Sequence, residues 1–180
     1  MDHATLPLLA NWQNFYVIVG SSAGALTGLQ FVVLTLIAQS RATASLREIR
    51  AFGTPTVVHF CTALLISALV TAPWPSLTAF AVSLGVCGLI GVPYAIGIFW
   101  HARKATYNPD FGDWIWYATL PLIAEIILVA AALWLWWNHG WALYLVAADA
   151  LLFLLLGIHN SWDTVTYIII QNTDRPKDER

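Results

Sequence analysis

The chain has 180 residues, of which 59% are hydrophobic and 10% charged, and its formal net charge is −2. Soluble domains carry about 25% charged residues, so ordinary globular folding in water is not expected, and no basic stripe exists to follow a nucleic-acid backbone. The apolar residues fall in long blocks that suit membrane-crossing helices, not in the alternating stretches of about ten residues that build a membrane barrel.

The first block runs from about Trp12 to Ala38. Met1 to Ala10 lacks the basic segment of a cleavable signal peptide, so this block is expected to remain in the mature protein. Within it, Gly20, Gly24 and Gly28 recur at four-residue spacing with Ser21, Ser22, Ala23 and Thr27 between them. Small residues in this pattern let two helix backbones approach closely in lipid; a serine-bearing glycine face lining a narrow pore is the alternative. Gln30 lies in the same span, where its amide can bond across the helix contact.

A polar linker, Gln39 to Thr54, carries Arg41, Arg47, Glu48 and Arg50. Thr54-Pro55 then reads as an N-cap with proline in the first turn, and span two continues to Ala72 before the Pro73-Trp74-Pro75 breaker. Span three covers about Ser76 to Trp100; Pro93 and the glycines Gly85, Gly88, Gly91 and Gly97 predict a tightly packed, bent helix. After a loop with Arg103, Lys104 and an Asn108-Pro109-Asp110 turn, span four runs from Trp114 to Trp137 and span five from Trp141 to Trp162. An interfacial extension to Ile170 and a charged tail, Asp174 to Arg180, close the chain. The expected fold is all-α, one five-helix transmembrane bundle over residues 1–180.

All eight Lys and Arg residues lie in the first linker, the loop after span three or the tail. Cations gather on the cytoplasmic side of membrane proteins, which predicts an N-terminus outside and a C-terminus in the cytoplasm. The tryptophans divide the same way. Trp12, Trp74, Trp134, Trp136, Trp137 and Trp141 mark one interface, and Trp100, Trp114, Trp116 and Trp162 the other.

Glu125 is the most informative residue. It lies eleven residues beyond Trp114, about 16 Å along a helix and so near mid-bilayer. A carboxylate there is costly and belongs in the bundle interior, yet no Lys or Arg occurs within any span. It must be protonated, hydrogen-bonded, cation-bound or wet; a carbonyl freed by Pro121 is the plainest partner. Counted from His139, Glu125 is fourteen residues back and Asp149 ten forward. That leaves a height difference of about 6 Å between antiparallel neighbours, close enough for two side chains or a bridging water to hold a proton or cation.

Span five adds His159, Asn160, Ser161, Asp163, Thr164 and Tyr167. Asn160, Asp163, Thr164 and Tyr167 share a stripe near that of Asp149, and His159 and Asp163 are an i,i+4 pair. The stripe is a polar line toward the cytoplasm or, equally, a helix emerging among headgroups. His59, His159 and Asp163 form a candidate transition-metal trio, and paired histidines can ligate haem, but neither has a sequence signature and no cofactor is expected. His3, His101 and His139 read as loop residues. Cys61 and Cys87 form no CxxC and read as small buried residues. No hydrolase, metalloprotease or phosphate-loop motif is present, Ser161 and His159 do not share a helix face, and no catalytic residue is assigned.

The stretch Trp12-Gln13-Asn14-Phe15 through Gly20-Ser21-Ser22-Ala23-Gly24-Ala25-Leu26-Thr27-Gly28-Leu29-Gln30-Phe31-Val32 resembles the first helix of small bacterial polytopic membrane proteins, some labelled modulators of a membrane AAA protease. Asn160-Ser161-Trp162-Asp163-Thr164-Val165-Thr166-Tyr167 is similar in character to the last helix of that group. The resemblance implies a bacterial inner (plasma) membrane and a regulatory role, and carries over no binding or catalytic residue. From the residues themselves, the leading expectation is a homo-oligomeric channel or carrier for protons or small cations. The alternative is a structural or regulatory subunit without transport; a membrane enzyme or redox carrier stands third.

Overall fold

The computed structural model describes residues 6–39, 54–103, 111–137 and 139–173. The cationic linker after span one, the Asn108-Pro109-Asp110 turn, His3 and the charged tail lie outside them. A short α1 (Leu6–Ala10) precedes α2 (Gln13–Gln39), α3 (Thr54–Thr71), α4 (Leu77–Arg103), α5 (Phe111–Trp136) and α6 (Ala142–Thr173). From α2 to α6 all five are long and apolar enough to cross a membrane, as the block lengths predict. One feature differs from the sequence reading, since α1 was not anticipated; α6 continues past Trp162 as the expected extension does, reaching Thr173.

The helix ends follow their local chemistry. Proline at the second position of α3 removes only a donor that the first turn leaves unused. Beyond α3, the Trp74 indole N–H donates at 2.5 Å to the Leu69 carbonyl, which also accepts the Ala72 N–H at 3.3 Å, so the breaker both stops the helix and helps satisfy its last turn. Ser76 caps α4, its hydroxyl accepting the Ala79 N–H at 3.1 Å. Between α5 and α6 the His139 N–H reaches the Trp134 carbonyl at 3.0 Å, and the Ala142 N–H reaches His139 at 2.9 Å.

Within α5 the residues Trp114–Thr119 are π-helical, directly before Pro121. The proline ring has no N–H to give the preceding turn. The backbone widens there instead: the Leu120 N–H bonds the Ile115 carbonyl, and the Thr119 hydroxyl donates to the Trp114 carbonyl at 2.9 Å. This is the kind of one-turn π segment that an altered hydrogen-bond ladder produces.

In cross-section, α6 is central, flanked by α3 and α5; α2 packs on α3 and α4 packs on α5. The core runs through Tyr16, Ala63, Ile66, Phe80, Leu84, Leu128, Leu135, Val146, Phe153 and Leu156. Outward, Val17, Ile18, Leu29 and Phe31 of α2 and Val86, Leu89 and Ile90 of α4 present bare apolar surface. So wide an apolar rim suits lipid, not water. Tryptophans collect at both ends: Trp134 against Trp141 and Trp12 against Tyr144 at one, Trp114 against Phe99 and Trp116 against His159 at the other.

Glycines set several helix contacts. A Cβ on Gly157 of α6 would run into the Phe60 ring of α3. One on Gly88 of α4 would come within 2.8 Å of Val129 of α5, and one on Gly20 of α2 within 2.8 Å of the Ser67 Cβ of α3. Gly24 and Gly28 differ, for a Cβ on either meets nothing within 4 Å. Of the four-residue glycine series, only Gly20 is used between described helices.

Candidate interior polar site

The polar residues of the interior gather around α6. Gln30, His59, Glu125, Asp149 and Asn160 are 4%, 2%, 5%, 1% and 0% exposed, in a span where each buried polar atom needs a partner. Among the described residues, these buried atoms have no hydrogen-bond partner: Tyr16 Oη, both His59 nitrogens, Glu125 Oε2, both Asp149 oxygens and both polar atoms of the Asn160 amide.

Asp149 is buried on α6. It interacts electrostatically with Glu125 of α5 and with Tyr16 of α2. The neighbouring carboxylates anticipated from the hairpin count are therefore coupled, but no hydrogen bond joins them. Glu125 leans the other way as well. Its carboxyl group occupies the place that a Cβ on Gly91 of α4 would take, with Cys87 also in its field. The notch left by Gly91 is what admits a carboxyl group between α4 and α5. Glu125 Oε2 has no hydrogen-bond partner among the described residues, so no carbonyl near Pro121 takes it up.

Toward the end where α2 finishes, the polar groups pair with one another. Tyr117 donates its hydroxyl to Asp163 Oδ2 at 2.8 Å, linking α5 to α6. The imidazole of His159 stacks on the Trp116 indole, centroids 3.8 Å apart and planes 19° from parallel. Ser161 Oγ donates to the Gly157 carbonyl at 2.7 Å and lies 3.2 Å from Gln30 Oε1. Gln30 thus ties α2 to α6 and does not bridge a glycine contact. The side chain of Tyr167, the last member of the expected stripe, lies outside the described residues.

Two expectations are corrected here. The trio His59, His159 and Asp163 is not brought together: no group of three His, Cys, Asp or Glu side chains suited to a metal exists among the described residues. His159 is engaged by Trp116 and Asp163 by Tyr117, while His59 packs beside Phe153, ring centroids 6.0 Å apart. Cys61, read as buried, is exposed on the outer surface of α3. The hydroxyls of the glycine face bear on its reading as a pore lining: Ser21 and Thr27 donate to the Val17 and Ala23 carbonyls of their own helix at 2.6 and 2.8 Å.

No family model, curated protein or solved structure matches the chain. Three site residues escaped the sequence reading: Tyr16, Trp116 and Tyr117. Each has an aromatic body and a polar edge near a span end, where an interfacial belt is the ordinary explanation. For Tyr16 and Tyr117 the available signal was a position about one helical turn inside Trp12 and Trp114; Trp116 read as part of the belt itself.

Proposed function

We propose that this protein is a multi-pass membrane carrier or channel that moves protons or small cations by way of Asp149 and Glu125. The carrying observation is that both Asp149 oxygens and Glu125 Oε2 are buried with no hydrogen-bond partner among the described residues, in two spans whose sequence holds no Lys or Arg between Trp114 and Trp162. An uncompensated carboxylate in such surroundings is costly. A bound proton or small cation removes that cost, and the site then exchanges it as access changes. Because the carboxylates are shut off from solvent, a carrier that exposes them in turn fits better than a standing pore. The proposed setting is the bacterial inner (plasma) membrane, N-terminus out and C-terminus in, with the chain working as a homo-oligomer.

Flux of protons and of Na⁺ or K⁺ into proteoliposomes, measured from pH 5 to pH 8, tests the reading. Wild-type flux is expected to vary with pH, and Glu125→Gln and Asp149→Asn to reduce it at least tenfold while remaining folded. Flux no greater than through empty vesicles overturns it. The tight seating of Glu125 against Gly91 favours a second reading, a structural or regulatory subunit such as a modulator of a membrane protease. In that case the same variants alter only stability.

A further inference from the structure

The chemistry of the interior does not end at the two carboxylates. On α6, Asp149, Phe153, Gly157 and Asn160 follow at spacings of four, four and three residues and so line one face. That face receives α3: Phe60 fills the notch at Gly157 and His59 lies beside Phe153. Phe153 is one turn from Asp149, about 6 Å along the axis, and Asn160 is about 10 Å farther on. His59 therefore sits between them in height. Both of its ring nitrogens, both Asp149 oxygens and both Asn160 amide atoms are enclosed without a hydrogen-bond partner.

We propose that His59 is the proton relay between the Asp149–Glu125 pair and the end of the bundle where Tyr117 bonds Asp163. This rests on the proton reading of those carboxylates and adds the route by which they are reached. Imidazole is suited to the step because it accepts a proton on one nitrogen and releases the proton already held on the other, so nothing is consumed. Orphan polar atoms spaced along one face are what bridging waters bond to in protein interiors, and waters between Asp149, His59 and Asn160 complete the connection. The other titratable groups of the interior are Tyr16 from α2, Cys87 from α4, Glu125 from α5 and Asp149 from α6. Of these groups Glu125 is seated against Gly91 of α4, whereas His59 stands beside Phe153, between Asp149 and Asn160. His159, though nearer the end, is stacked on Trp116.

The test is proton flux into proteoliposomes for wild type, His59→Gln and His59→Ala, the last with and without added imidazole. Flux reduced at least tenfold in both variants, and recovered in His59→Ala by millimolar imidazole but not in His59→Gln, is the expected result. Rescue by a free imidazole is something a merely structural histidine would not give. Wild-type flux in His59→Gln overturns the relay and leaves the carboxylate reading intact. Loss in both variants with no rescue also overturns it, assigning His59 to packing. Absence of wild-type flux removes the transport reading itself and the relay with it.

Discussion

Glu125 and Gly91 show how a single missing Cβ decides what a membrane interior can hold. A carboxyl group is too large for a close α4–α5 contact unless one side gives up its side chain, and Gly91 does. Gly91→Ala is expected to destabilise the protein by about 1–3 kcal/mol, the usual cost of overpacking. In a Glu125→Ala background the same change should cost far less, since the atoms that collide are gone. Thermal unfolding of the four proteins in detergent measures the coupling, and additive effects would place Glu125 elsewhere. Tyr117 makes a smaller claim. Tyr117→Phe removes the hydroxyl donated to Asp163 and should cost about 1 kcal/mol, read as a lowered melting temperature with the fold unchanged.

Among the helices, glycine has two different uses. Gly157 and Gly20 stand at contacts that leave no room for a methyl group, whereas Gly24 and Gly28 face open space. Gly157→Ala should therefore destabilise by about 1–3 kcal/mol. Gly24→Ala should be neutral or stabilise by up to about 1 kcal/mol through helix propensity, and circular dichroism melts separate the two cases. That division was not legible in the sequence, where Gly20, Gly24 and Gly28 read as one motif. Their rotation about the α2 axis relative to α3 is fixed by tertiary packing. The spans themselves were legible, because bilayer thickness sets a length that apolar blocks either meet or miss. Helix neighbours were not, since spans apolar on every side carry no stripe to say which face turns inward. Glu125 and Asp149 could be placed together only because a short hairpin fixes their relative height. His59 had no such ruler and was grouped with the wrong histidine. The π turn escaped because it depends on how Thr119 and Leu120 re-partner the carbonyls upstream of Pro121.

Sidedness decides which way the proposed proton route would run. Tyr16 and Asp149 lie toward the end of the bundle that holds α1 and the α3–α4 connection, Glu125 about midway along α5, and the Tyr117–Asp163 hydrogen bond toward the other end. In the sequence, all eight cationic residues fall after α2, at the end of α4 or just beyond it, or after α6, and positive charge is retained on the cytoplasmic side during insertion. In the proposed orientation, N-terminus out, the relay opens toward the cytoplasm and Asp149 lies nearer the outside. Cysteine accessibility decides this directly. With Cys61 and Cys87 replaced by alanine, Pro75→Cys in the exposed α3–α4 connection should react with a membrane-impermeant maleimide in intact cells. Gly112→Cys, exposed at the start of α5, should react only after the membrane is permeabilised. Labelling in the reverse order would invert the bundle, and the entry side assigned to His59 would become the exit. A relay and its carboxylates work in either orientation, but only one makes the cytoplasm the side from which His59 is loaded.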